Sequence, residues 1–223
     1  RLSKGFLVKK TVNLMQEACN LKFLAENLPS IRIPRLVRVF VHGPKKFEYI
    51  VMEYVEGDLL SHCWERLDED KKDSVCEQVA QVIATLRTVP LTRPGPIGGG
   101  LMAHRVRGLF GMYGVQAMDT IAELEAYYDK YAAFAKRFKW IPADFSSFAG
   151  KLGTEVYMAH MDWAMRNLIL QADGSICTID WGAAGAYPAH FEEYSSLMKC
   201  LIEDKDFCNR IRAKLPVDPE LDE

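Results

Sequence analysis

The sequence predicts an α+β chain of two lobes: a small β-rich lobe over residues 1–55 and a larger, mainly helical lobe over residues 56–223. Three observations carry that expectation. The N-terminal part holds three apolar, β-branched and aromatic runs around one helical stripe. Beyond it, apolar residues recur every three or four positions in long segments separated by turns. In the last third stands His160-Met161-Asp162, with Asn167 five positions after the Asp and Asp180 closing a short apolar run.

At 223 residues the chain is long enough for one large domain or two lobes with a sizeable core. A hydrophobic content of 49% and a charged content of 26% are those of an ordinary globular protein. The net charge of −2 gives no support to bulk nucleic-acid binding, which shows as a basic excess. No apolar run approaches the roughly 18 residues of a membrane span. No signal-peptide pattern opens the chain, and a first residue of Arg suggests that the natural start lies upstream. The six cysteines are scattered without a C-x-x-C pair. That spacing argues against a zinc site or a disulfide framework and suits a reducing, cytoplasmic setting.

Taken in order, Gly5 to Lys10 reads as a strand and Val12 to Asn27 as a helix with Leu14, Ala18, Leu21 and Leu24 on one face. Glu17 lies on that helix. A strand Lys paired with a helix Glu is how kinases hold the Lys against nucleotide phosphates. Lys9, directly after Phe6-Leu7-Val8, is favoured over Lys10 for that role. Leu36 to Val41 and Phe47 to Val55 read as a hairpin around His42-Gly43-Pro44, ending in Glu56-Gly57. A strand running into such a linker can present backbone to an adenine edge, through the Glu53 carbonyl and the Val55 amide with Met52 behind the base. Ser74 to Val89 reads as a helix behind an N-cap at Leu67 to Asp70. Pro90 to Gly114, rich in Pro and Gly, reads as a long connection or a substrate-side insertion. Thr120 to Phe138 and Tyr194 to Ile202 read as helices, and the end from Pro216 as a loose acidic tail. The pair Glu192-Glu193 reads first as solvated helix charge.

Phosphoryl transfer needs a carboxylate to orient and deprotonate a hydroxyl, and an amide with a second carboxylate to hold Mg²⁺ on the phosphates. Asp162, Asn167 and Asp180 are those residue types in that order. Asp173-Gly174, between Leu168–Leu170 and Ile176–Ile179, predicts a hairpin that returns the chain and brings Asn167 and Asp180 to one end. An isolated H-x-D more often belongs to a turn than to a catalytic site. The ordered set is much harder to reach by chance, and it points to a kinase-like fold.

On these residues, with Asp180-Trp181-Gly182-Ala183-Ala184-Gly185, Pro188 and Val51 to Gly57, nearly the whole chain resembles the aminoglycoside phosphotransferase family. That family lies within the protein-kinase-like and choline-kinase-like superfamily, and the likeness is nearest to its divergent fungal members. The resemblance implies ATP and Mg²⁺ as cofactors, a small-molecule hydroxyl as acceptor, Asp162 as base, and Asn167 and Asp180 as metal ligands. It further implies Lys9, held by Glu17, on the phosphates, His160 as a brace for the loop, and Trp181 and Pro188 as packing residues. Two departures stand out. Only eight residues precede Lys9, so the strand pair and loop that cover the phosphates in relatives have no evident counterpart, and the small lobe is expected to be truncated or abbreviated. The loop also carries Trp163 and Arg166, which are expected to contact the acceptor or a phosphate. A nucleotide-binding module without turnover is the alternative reading, and a protein Ser/Thr kinase is a more distant one, since no A-P-E-like segment follows Asp180.

Overall fold

The computed structural model describes residues 5–11, 14–98, 118–139, 144–193 and 204–216. Its small lobe is a three-stranded antiparallel sheet made of β1 (Phe6–Thr11), β2 (Leu36–His42) and β3 (Phe47–Glu53), in the order β1-β3-β2. The turn between β2 and β3 needs Gly43, whose φ of 82° is left-handed, and it closes with the Lys46 N–H on the Gly43 carbonyl at 2.9 Å. One helix, α1 (Leu14–Asn27), packs on this sheet through Ala18 against Ile50 and Met52. Of its other buried side chains, Leu21 and Leu24 join the core that holds Trp181 and Ala184, Asn20 reaches the carbonyls of those two residues, and Glu17 meets Lys9 of β1. The register of β1 on β3 pairs Lys9 with Ile50, and it turns Lys9 and Lys10 to opposite faces.

After β3 the chain runs through Gly57. A Cβ there would stand 2.4 Å from the Leu170 carbonyl oxygen, and φ is 144°, so only glycine lets the linker lie this close. Short β4 (Asp58–Leu59) then joins β7 (Leu168–Leu170) and β8 (Ile176–Thr178) in one sheet. Between them come α2 (Leu60–Cys63) and α3 (Glu69–Leu86), which starts at Asp68, whose carboxylate accepts the Lys71 N–H at 2.8 Å. Val75, Val79, Ile83 and Leu86 are buried as the periodicity requires, although α3 begins earlier than expected, at its cap, and ends before Val89. The Pro-rich stretch is not all connection. β5 (Pro90–Leu91) pairs with β6 (Val156–Ala159), which pairs with β9 (Gly185–Tyr187), and Gly95 bridges to Ala186.

The aromatic helix α4 (Ile121–Arg137) buries Tyr128 and leaves Phe134 exposed. A last helix not anticipated from the sequence, α5 (Lys205–Arg212), buries Phe207, Cys208 and Ile211, with Phe207 edge-on to Trp64 at 5.5 Å. The expected helix at Tyr194 to Ile202, the expected start of α1 at Val12 and the tail beyond Pro216 lie outside the described residues.

Candidate active site

The catalytic-type loop is set by its own hydrogen bonds. The Asp162 N–H donates to His160 Nδ1 at 3.2 Å, which leaves His160 Nε2 to donate to the Ile179 carbonyl at 3.1 Å. One imidazole thereby joins the segment carrying Asp162 to the residue before Asp180. His160 is fully buried, stacked on Trp163 at 4.7 Å and edge-on to Trp181 at 4.5 Å. The Asn167 side chain donates to the Asp162 carbonyl and to Asp162 Oδ2, both at 2.8 Å. With its N–H groups so used, the Asn167 amide presents its oxygen as the remaining ligand atom. Arg166 Nη2 lies 3.0 and 3.2 Å from the two carboxylate oxygens of Asp162.

The hairpin does what its sequence predicts. β7 and β8 pair antiparallel, and the loop closes with the Gln171 N–H on the Ser175 carbonyl at 2.9 Å, with Gly174 at φ 84°. At the open end the Ile179 N–H donates to the Asn167 carbonyl at 2.9 Å, so Asp180 emerges beside Asn167. Asp180 itself is left-handed, at φ 60° and ψ 59°, a conformation that Asp tolerates better than most residues.

From the small lobe, Lys9 Nζ lies 2.7 Å from Glu17 Oε2 and 2.7 Å from Asp180 Oδ1. Lys10 instead lies over the Phe47 ring, 4.2 Å from its centre. Burial alone would push the Asp180 carboxyl up, but Lys9, by charge and hydrogen bond, outweighs it and holds Asp180 below the usual carboxylate range. The Asp180 side chain is 47% exposed, so solvent screens part of that effect. Burial also opposes the charge on Lys9, yet its two carboxylate partners together raise it. Glu17, 3% exposed, is raised by burial, with Lys9 offsetting only part.

Asn20, one turn beyond Glu17 on α1, is fully buried and donates to the Trp181 carbonyl at 2.7 Å and to the Ala184 carbonyl at 2.9 Å. It anchors the chain after Asp180 to the small lobe. Sequence reasoning missed it, although a polar Asn three positions from Glu17, in the middle of a helix that it does not favour, is a usable signal. At the end of β3, Met52 is buried against α1 and Val55 is buried as well. The Glu53 carboxylate accepts from Arg32 at 2.7 Å and from the Arg35 N–H at 3.1 Å. Arg32 also gives its carbonyl to the Thr178 N–H at 3.0 Å, which ties the strand end to β8.

Two expectations need correction. Trp163 does not line an acceptor site. It is fully buried, and its indole N–H donates to Glu192 Oε2. Nor is Glu192 solvated: it is 2% exposed and also accepts the Met161 N–H at 3.0 Å. The other acidic neighbour, Glu193, pairs with Arg87 at 2.7 Å. No pattern in the sequence marks Glu192, because the donors that hold it lie some thirty positions away.

The arrangement offers two hard oxygen donors, the Asn167 amide and the Asp180 carboxylate. Among the described residues no group of three or more His, Cys, Asp or Glu could hold a metal unaided. Two protein oxygens suit Mg²⁺, which takes one or two carboxylates and completes its shell with phosphate oxygens and water.

A family model described as "Phosphotransferase enzyme family" matches residues 7–215. No curated protein matches the chain. Among solved structures, the streptomycin–ATP ternary complex of APH(2")-IIa is 12% identical, with a TM-score of 0.57 over 95% of this chain and 71% of that one. ADP-bound APH(2'')-Ib is 14% identical, with a TM-score of 0.54 over 95% and 71%. The aminoglycoside phosphotransferase APH(4)-Ia is 14% identical, with a TM-score of 0.60 over 93% and 69%. At such identities the likeness speaks for the fold, which is protein-kinase-like. With the family model spanning nearly all of its length, the chain belongs to the phosphotransferase enzyme family.

Proposed function

We propose that this chain transfers the γ-phosphoryl group of ATP to a hydroxyl of a small molecule, with Mg²⁺, across a cleft between a small lobe ending at Val55 and a large lobe beginning at Glu56. The observation that supports this most is the Lys9 ammonium, 2.7 Å from both Glu17 and Asp180. A strand Lys fixed by a helix Glu beside a metal-type carboxylate is the arrangement that holds nucleotide phosphates for in-line transfer.

In this reading Asp162 orients the acceptor hydroxyl and takes its proton as the new O–P bond forms and ADP leaves. Arg166 and Asn167 fix the direction of the Asp162 carboxylate, and His160 keeps its backbone in register with Ile179. Asn167 and Asp180 would hold Mg²⁺, which when bound neutralises charge on the phosphates. Lys9 contacts the phosphates, and the backbone of Glu53 and Val55, with Met52 behind, meets the adenine edge.

The test is a panel of hydroxylated small molecules incubated with Mg·ATP, scored for ADP release and for a product heavier by one phosphoryl group. Asp162→Asn and Asp180→Asn should each lower turnover by orders of magnitude with an unchanged circular dichroism spectrum. Wild-type rates in either variant refute the assignment. Nucleotide-dependent thermal stabilisation without product from any acceptor supports binding without turnover instead.

A further inference from the structure

Glu192 takes no part in the chemistry above, yet it is one of the most deeply placed carboxylates of the described chain. Residues 190–193 are helical and carry its side chain inward. Oε1 accepts the Met161 N–H at 3.0 Å and Oε2 accepts the Trp163 indole N–H. These two donors flank Asp162 in the chain. Met161 has φ 62°, a left-handed conformation that a long side chain keeps only where its surroundings impose it. Trp163 is fully buried against His160, whose Nδ1 accepts the Asp162 N–H. Asp162 therefore cannot be re-aimed without disturbing the residues that Glu192 holds.

We propose that Glu192 is a positioning residue: its ionised carboxylate pins Met161 and Trp163 on either side of Asp162, and its protonation loosens the loop and slows turnover. The effect on turnover rests on Asp162 being the base. A protonated carboxyl has one oxygen occupied by hydrogen, and the two N–H groups facing Glu192 then compete for the other.

Burial pushes Glu192 up to about 7, against the pull of the Met161 and Trp163 N–H groups and of Arg87. That places the change of state in the neutral range. The charged and titratable groups packed around it are few. Arg87, at the end of α3, is itself paired with Glu193. His160 lies on the loop, and Tyr128 of α4 and Tyr187 of β9 belong to the cluster around Met161 and Phe191. Burial raises both phenols, so they stay neutral across this range.

The test follows the indole N–H signals of the uniformly ¹⁵N-labelled chain from about two pH units below that midpoint to about two above it. Four tryptophans give four signals, and the one lost in Trp163→Phe is assigned to Trp163. It should titrate with a midpoint near 7, and Glu192→Gln should abolish the titration, because an amide neither gains nor loses a proton in this range. In parallel, kcat should fall on the acid side through the same midpoint with KM for ATP unchanged. Glu192→Gln should lose about tenfold or more in kcat and lose that acid limb. A Trp163 signal that stays still across the range, or moves equally in Glu192→Gln, overturns the proposal. Where Glu192→Gln does not fold, persistence of the titration in His160→Gln assigns it to the carboxylate, and its loss there overturns the proposal. The spectrum decides even if no phosphoryl acceptor has been found, so failure here is separable from failure of the proposed function.

Discussion

Replacing Asn20 with leucine should destabilise the protein by about 1.5 kcal/mol. Leucine nearly matches Asn in shape, so the loss reports hydrogen bonds rather than a cavity. Two bonds disappear, to the Trp181 and Ala184 carbonyls at 2.7 and 2.9 Å, and both of those residues are buried. The Ala184 carbonyl, left dry and unpaired, costs about 1–3 kcal/mol, whereas the Trp181 carbonyl keeps the Ala184 N–H at 3.3 Å and loses one bond worth about 0.5–1.5 kcal/mol. The added apolar burial returns about 1–2 kcal/mol. The third partner, the Gln16 amide, retains the Ile97 carbonyl at 3.3 Å, so it adds little. For a chain of this size the net loss lowers the midpoint of thermal unfolding by roughly 3–6 °C. Urea unfolding with the slope held in common measures it, and the stabilisation given by Mg·ATP should shrink as well, because Asn20 anchors the segment that follows Asp180. A variant within about 0.5 kcal/mol of wild type, the range of an indifferent surface change, refutes the reasoning. Asn20→Asp should be worse than Asn20→Leu, since it turns a carboxylate toward two carbonyl oxygens.

Gly57→Ala should cost about 2–4 kcal/mol in denaturant unfolding, because φ 144° and a Cβ 2.4 Å from the Leu170 carbonyl oxygen force the linker off β7. A neutral result there shows that the linker moves freely. Lys9→Met should destabilise the fold in a pH-dependent way. Glu17 is already raised by burial and rises further without Lys9, and a raised carboxyl contributes stability that is present at low pH and lost as pH rises, because the unfolded chain sheds the proton first. The deficit against wild type should therefore widen from acid to neutral pH, to about 3 kcal/mol at most; a constant offset contradicts this account. Arg166→Ala should leave unfolding within about 0.5 kcal/mol of wild type, since the Arg166 side chain is 44% exposed, while lowering kcat by freeing the Asp162 carboxylate. Unchanged kcat in that variant removes Arg166 from the orientation of Asp162.

What was legible in the sequence is what depends on short spacing. The interval from Asp162 to Asn167 sets a tight loop, and Asp173-Gly174 sets a hairpin whose length returns Ile179 to Asn167. Both are local geometry, fixed by turn chemistry and strand length. The stripe of α3 was legible for the same reason; on β1, alternation puts Lys9 beside Glu17 and Lys10 over Phe47. Trp163 shows where such reading stops. Its position beside Asp162 suggested an acceptor contact, but whether a side chain one residue from Asp162 turns out or in depends on what waits inside. A buried carboxylate and an imidazole waited there.

The sequence alone thus determined the constellation and its order: a base-type Asp, an amide at plus five, a second Asp beyond a hairpin, and a Lys strand before a Glu helix. Those follow from residue chemistry at fixed short separations. Only the tertiary structure decided how the pieces are locked, because each lock joins residues far apart along the chain. Lys9 meets Asp180 across 171 positions and Asn20 meets Trp181 across 161. Glu192 closes on a loop about thirty positions behind it. The contacts that bring two carboxylates and a lysine together form only when α1 packs against the Asp180 segment, because nothing local along the chain holds Lys9 and Asp180 near each other.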